Sequence, residues 1–440
     1  MPNRGSWTRR DLFEATIGGA ALLLPSGLSG AVAAPYVIQK GSKVTYWGGL
    51  IFSEKANKLL QETVKAWGDQ NGVTTEVVMI NQNETVQKVS AAIASNTMPD
   101  GLDMSLDLLM VLSKQGVFLP LDDVYDSIGK THGGWFSPVA SATDTSKVAG
   151  GRTGIPFGVS GNLLLRRTDL LKKAGFDKPP TTWMELVQQA AAVTKPPVFG
   201  LGLALSNVGD GNVQVSALQS FGGRIADETG TKAAIKSNET REYLRWVKDA
   251  WDKKVFPPGN TTWDGAGDNQ AYLAGQAAFI ANTGSVGIAA KTQDPELYKD
   301  TAYSSLPAGS KGVISPIQPQ VRAVPKSSKN PDAAKALIEH LAQPAFMNAY
   351  YDAAIYGPVL QDQAKFKGFT QDPILSGLLD LVQKGTAPGY PDVYNAAYAD
   401  MWNNFVVPKM VQRVVIDNWD FDRAMDEAQG QTQAIYDKYK

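Results

Sequence analysis

GGRTGIPFGVSGNLLLRRTDLLKKAGFDKPPTTWMELVQQAAAVT, residues 150–194, is the stretch on which the fold turns. Ile155 to Val159 reads as an extended segment interrupted by Pro156 and Gly158. The apolar run Leu163-Leu164-Leu165 follows, then a short charged helix from Asp169 to Lys173. Pro179-Pro180 makes a turn, and Thr181 or Thr182 supplies an N-cap for the next helix, with Glu185 placed to reach back to free backbone N–H groups. A strand that breaks at glycine and at once resumes as another strand suits a chain passing between two lobes. Gly158 absorbs the backbone change a hinge requires.

The chain around this stretch has 440 residues, which predicts two domains. Hydrophobic content of 43% and charged content of 19% are those of a globular protein. A net charge of −1 gives no basic footprint, so nucleic acid is excluded as a partner. There is no cysteine, which excludes disulfides, thiol catalysis and a cysteine-linked lipid anchor. His132 and His340 are the only histidines, so a histidine metal cluster is not expected, and no metal or cofactor is predicted.

The N-terminus reads as an export signal. Arg4, Arg9 and Arg10 precede an apolar segment from Ala15 to Leu24, and Ala31-Val32-Ala33 offers a small-x-small cleavage site near Ala33. Ser6 to Phe13 resembles the twin-arginine motif, which makes the twin-arginine translocase a partner and the periplasm the destination. The apolar core is shorter than the about 20 residues a membrane span needs.

From Lys43 onward, strand and helix patterns alternate, which predicts parallel sheets flanked by helices. In such sheets ligands sit beyond the carboxyl ends of the strands. Trp47, Asn81, Asn83 and Asp103 fall at predicted ends in the first half, although Asn81 and Asn83 also suit helix caps and Trp47 suits a core. Ser160 and Asn162 follow the first crossing, and Asn207 and Asp210 lie in a Gly-rich loop after a strand. Tyr303 to Pro307 and Tyr356 to Val359 read as second and third crossings, with Ser305 and Gly357 as their hinge positions.

Several blocks together resemble the extracellular solute-binding proteins of carbohydrate-type ABC importers, the family that includes maltose-binding protein. They are Ile155 to Val159 with Asp169 to Gly175, Pro179 to Leu186, Tyr272 to Phe279, and Val324 to Ala334. The resemblance runs from about Lys43 to the C-terminus. It implies an α/β, two-lobed periplasmic-binding-protein fold, each lobe a sheet flanked by helices, with three hinge crossings. After a signal at 1–33, the N-lobe would comprise 34–157 and 306–353, and the C-lobe 158–305 and 354–440.

It further implies a monomer that captures a small carbohydrate between the lobes and delivers it to an ABC permease. Trp263 matches a family position where an aromatic lines the cleft, and Asp264 accompanies it. Two aromatic platforms common in the family are replaced here, by Gly284-Ser285-Val286 and by Pro319 to Arg322. Gln320 and Arg322 put donors there instead, and Arg322 is suited to hold a carboxylate or phosphate. A monosaccharide, disaccharide, polyol or sugar acid therefore fits better than a long oligosaccharide. The competing readings are a binding protein for a non-sugar anion, one coupled to a chemoreceptor, and an exported enzyme. A glycoside hydrolase would need two carboxylates across a bond, with Asp103 and Asp107 the nearest pair in sequence. No dinucleotide fingerprint or nucleophile elbow supports other chemistry.

Overall fold

The computed structural model describes residues 36–51, 53–81 and 84–440. The export signal at 1–33 and Asn83 lie outside the described residues. Among the described residues no helix is long and apolar enough to cross a membrane.

The described residues form eleven strands: β1 (Lys43–Leu50), β2 (Thr74–Asn81), β3 (Gly101–Ser105), β4 (Ile155–Ser160), β5 (Leu163–Arg167), β6 (Phe199–Leu201), β7 (Ala277–Asn282), β8 (Thr301–Ser304), β9 (Ala308–Gly309), β10 (Gly312–Val313) and β11 (Gln318–Ala323). One sheet has the order β2-β1-β3-β11-β4 and the other β6-β7-β5-β8, while β9 and β10 form a small hairpin. Helices pack on both sheets, so the architecture is α/β and two-lobed.

Neither sheet is wholly parallel, contrary to the expectation from strand–helix alternation. β1 runs parallel to β2 and β3, but β11 is antiparallel to β3 and β4. In the second sheet β6 and β7 are parallel, and β5 is antiparallel to β7 and β8. The reason is connectivity. β5 and β11 each arrive from the other sheet and therefore enter at the cleft edge, where the remaining strands end.

β5 explains the apolar run that follows the first crossing. Leu163 and Leu165 face one core cluster, and Leu164 faces the other, so the strand is buried on both faces. The capped helix also forms as its sequence requires. Thr182 Oγ1 accepts the Glu185 N–H at 3.1 Å, and Glu185 Oε2 accepts the Thr181 N–H at 2.7 Å. This pins the start of the Trp183–Val193 helix, whose Trp183 is buried against Trp246.

The first crossing lies slightly later than its sequence suggests. Gly158 sits inside β4, opposite Gln320, and an added Cβ there would come within 2.8 Å of the Tyr356 ring. Its glycine serves close packing, and the step between sheets falls at Gly161–Asn162. At Gly161 a Cβ would meet Leu381 Cδ2 at 2.7 Å and the Pro316 carbonyl oxygen at 2.9 Å. The outgoing connection and the returning segment before β11 thus touch backbone to backbone. Leu381 belongs to the Pro373–Lys384 helix, which packs on β4, β5 and β8 and so spans both sheets. Gly357 pairs with Val159 and approaches the Leu378 carbonyl of the same helix. Ser305 donates to Asp380 Oδ2 at 2.9 Å.

Replacing Gly161 with Val should destabilise the protein by about 1–3 kcal/mol, the usual cost of overpacking. Urea denaturation checks this; an unchanged midpoint would mean that the crossings yield without strain.

Candidate functional site

The opposed strand ends enclose three adjoining cavities of about 140, 130 and 250 Å³. Gly49 and Ser105 border them at the ends of β1 and β3, Ser160 at the end of β4, and Thr283 just after β7. Gln320 lines all three, because β11 enters at the cleft edge. It is half-buried, and its amide has no hydrogen-bond partner among the described residues. Ser160 lines one cavity and donates from Oγ to the Gln318 carbonyl at 3.3 Å.

Beneath this surface Asp103 and Arg322 face each other across β3 and β11. Arg322 is only 1% exposed. Its Nε lies 3.4 Å from Asp103 Oδ1, its guanidinium carbon 4.2 Å from the Phe157 ring centre, and its Nη1 donates to the Leu341 carbonyl at 3.3 Å. The Tyr46 hydroxyl donates to Asp103 Oδ1, and the Gly49 N–H donates to Oδ2 at 3.4 Å. Burial pushes the Asp103 carboxyl up, opposed by Arg322 and Tyr46. Arg322 is therefore not the anion-binding group its position suggests. Its charge is spent on Asp103, and the rings of Phe157 and Phe346 cover it. Asp103 borders one cavity, yet its oxygens are already engaged.

The opposite wall is aromatic. Asp392 is buried and accepts from Gln219 Nε2, Arg224 Nε and the N–H groups of Ile225 and Ala226, all at 2.9–3.1 Å. This fixes the loop that carries Pro388, Gly389 and Tyr394 into the first cavity. Asn395 Oδ1 then caps the Ala396–Asn403 helix by accepting the Tyr398 N–H at 2.9 Å. Tyr394, just before the helix cap, and Tyr398 and Trp402 on the helix recur every fourth residue, contact one another ring to ring and all line that cavity. Across from them Asp107 occupies the first turn of the Leu106–Lys114 helix. Its side chain is exposed to solvent, and desolvation by the surrounding protein on its other side pushes the carboxyl up to about 6. Among the described residues this carboxylate makes no hydrogen bond or ion pair, and it lines the same cavity as Tyr398.

Other sequence candidates lie off the three cavities. Trp47 is in the middle of β1 and packs half-buried on the core, because that strand continues to Leu50. Asn81 ends β2, and its carbonyl accepts from Thr85 Oγ1 at 3.2 Å. Asn162 is half-buried in the crossing. Asn207 donates to Gln412 Oε1 at 3.2 Å, Asp264 caps its own turn through the Ala266 N–H at 3.0 Å, and Trp263 packs over Gly267. Asp210 is half-buried near Asp268; burial first, and then the Asp268 charge, push it up to about 7. Sequence reasoning places Ser105 at a strand end, weighs Asp107 as a possible hydrolase partner of Asp103, and does not point to Tyr394, Tyr398 or Trp402 as lining groups. The four-residue aromatic spacing was the available signal.

The model of a family described as bacterial extracellular solute-binding protein matches residues 62–377. The chain belongs to this family. Its members are solute-binding proteins, not enzymes. A probable ABC transporter-binding protein of Deinococcus radiodurans is 26% identical over 251 residues. That match covers 54% of this chain and 59% of the relative, so the chain spans just over half the length of the curated relative it matches. Among solved structures, the sugar-binding protein MalE of Xanthomonas citri superimposes with a TM-score of 0.76 at 20% identity, covering 90% of this chain and 98% of that one. The GacH receptor of Streptomyces glaucescens, solved unliganded and with acarbose, gives 0.74 at 19% identity, covering 91% and 100%. A solute-binding protein of Thermotoga lettingae bound to α-D-tagatose gives 0.72 at 19%, covering 90% and 100%. At these identities the likeness establishes the fold.

Two predictions follow from the charges of this solute-binding protein. Replacing Asp103 with Ala strands a buried guanidinium and should cost about 3–5 kcal/mol in urea denaturation; a purely ligand-facing carboxylate would leave the unliganded protein's stability intact. Asp210 has a folded pKa above its unfolded value, so the native state binds its proton more tightly and stability falls as pH rises from about 4 through 7. Asp210→Asn should remove this slope and raise stability at pH 8 by about 1 kcal/mol after allowance for solvent screening. Melting temperatures of both proteins across pH 4–8 check it, and parallel curves would contradict it.

Proposed function

We propose that this solute-binding protein captures a small carbohydrate without negative charge, a mono- or disaccharide, between its lobes and delivers it to an ABC permease. The observation that carries this reading is Gln320, an unpaired amide at the junction of three cavities, facing an aromatic wall. Sugars present hydroxyls and flat C–H faces, which amides and rings match. Each cavity is smaller than the ~300 Å³ at which ligand pockets begin, so a ligand would occupy adjoining ones. The groups lining them include Asp103 and Asp107 but no Lys or Arg. That balance disfavours sugar acids and other anions.

On this reading residues 34–157 and 306–353 form one lobe, 158–305 and 354–440 the other, and the protein works as a periplasmic monomer exported through the twin-arginine translocase. Closure would turn about the Gly161–Asn162 step together with Ser305 and Gly357, stabilised by ligand.

A thermal-shift screen of the mature protein against neutral sugars, polyols, sugar acids and phosphates tests it. A ligand at 100 times its Kd should stabilise by about 2.7 kcal/mol. Gln320→Ala should weaken the best sugar by about tenfold, as loss of one or two hydrogen bonds of ~1 kcal/mol implies. A response confined to anions would overturn the proposal.

A further inference from the structure

Resting on the carbohydrate reading, we infer that the cleft prefers a sugar bearing a protonated amine, seated between the Asp107 carboxylate and the rings of Tyr394 and Trp402. The inference starts from charge balance. The other two carboxylates at or behind the cleft are fully engaged. Asp103 has Arg322, the Tyr46 hydroxyl and the Gly49 N–H. Asp392 has Arg224, Gln219 and two backbone N–H groups. Asp107 has no partner among the described residues, and no Lys or Arg lines any of the three cavities.

A neutral sugar would donate hydroxyls to Asp107 but displace water from this exposed carboxylate without supplying a counter-charge beyond the helix N-terminus it sits on. A protonated amine supplies both the hydrogen bonds and the charge. The facing wall suits the same group, because ring faces attract cations. Tyr398 and Trp402 are stacked with ring centres 6.4 Å apart, and Asp107 lines the same cavity as both. Carboxylate and rings therefore border one space of about 140 Å³. The Gln320 and Asn403 amides on its edge remain for neighbouring hydroxyls.

Matched amine and hydroxyl sugars test this by titration calorimetry on the mature protein at pH 7. The pairs are glucosamine with glucose, galactosamine with galactose, mannosamine with mannose, and the free-amine chitobiose with cellobiose. In the pairs that bind, the amine member should be at least tenfold tighter, and Asp107→Asn should bring that ratio close to one. A hydroxyl member that binds as tightly as its amine, or a ratio that survives Asp107→Asn, overturns the inference. If no member of the panel binds but another neutral sugar does, the amine inference falls and the carbohydrate reading stands. If no carbohydrate binds at all, both fall.

Discussion

The ion pair between Arg322 and Asp103 fixes the geometry on which the cleft depends. Asp103 belongs to β3 and is met by Tyr46 from β1, Arg322 comes from the returning strand β11, and Phe157 of β4 covers the guanidinium. Four strands of the first sheet are thus keyed to one buried charge. Burying such a pair is favourable only when both ions find further partners. Here Tyr46 and Gly49 serve the carboxylate, and the Leu341 carbonyl and two ring faces serve the guanidinium. Arg322 Nε and Nη2 nevertheless lack a hydrogen bond among the described residues. Charge and ring packing hold the cluster more than a full hydrogen-bond set does.

That arrangement settles what β11 shows to solvent. Gln318, Gln320 and Arg322 alternate along the strand. Depth separates their roles. Gln320 stands where the strand enters from the other lobe, while Arg322 lies one step further in, under Phe157 and Phe346. Local periodicity places both on one face and cannot say where the cover begins, because Phe346 comes from a helix much later in the chain. This is why two donors that look alike in the sequence differ in the structure, Gln320 lining the cavities and Arg322 lying buried beneath them.

The same distinction runs through the rest of the chain. Features governed by neighbouring residues were legible: the Thr182–Glu185 cap, the doubly buried Leu163–Leu165 strand, and a crossing within a few residues of Gly158. Strand direction was not, because β5 and β11 take theirs from the lobe they leave. The aromatic wall was half-legible. Tyr394, Tyr398 and Trp402 carry helical spacing, but whether that face meets core or cleft is decided by Asp392 reaching Gln219 and Arg224, far away in sequence. Trp47 and Trp263 show the converse: an aromatic near a strand end or in a loop is as readily taken up by packing.

The cleft's own electrostatics then follow from where its cation went. With Arg322 consumed beneath the floor, the wall that meets a ligand carries carboxylate and rings without a compensating positive group. On the proposed closure, bringing the lobes together around an empty cavity would strip water from the exposed Asp107 and leave its charge unpaired, which would oppose that closure. A ligand that supplies hydrogen-bond donors or positive charge there removes that opposition. Only differential affinity for the closed form shifts such an equilibrium. On the proposed reading, capture and closure would be coupled through this carboxylate, which no Lys or Arg of the cavity lining pairs.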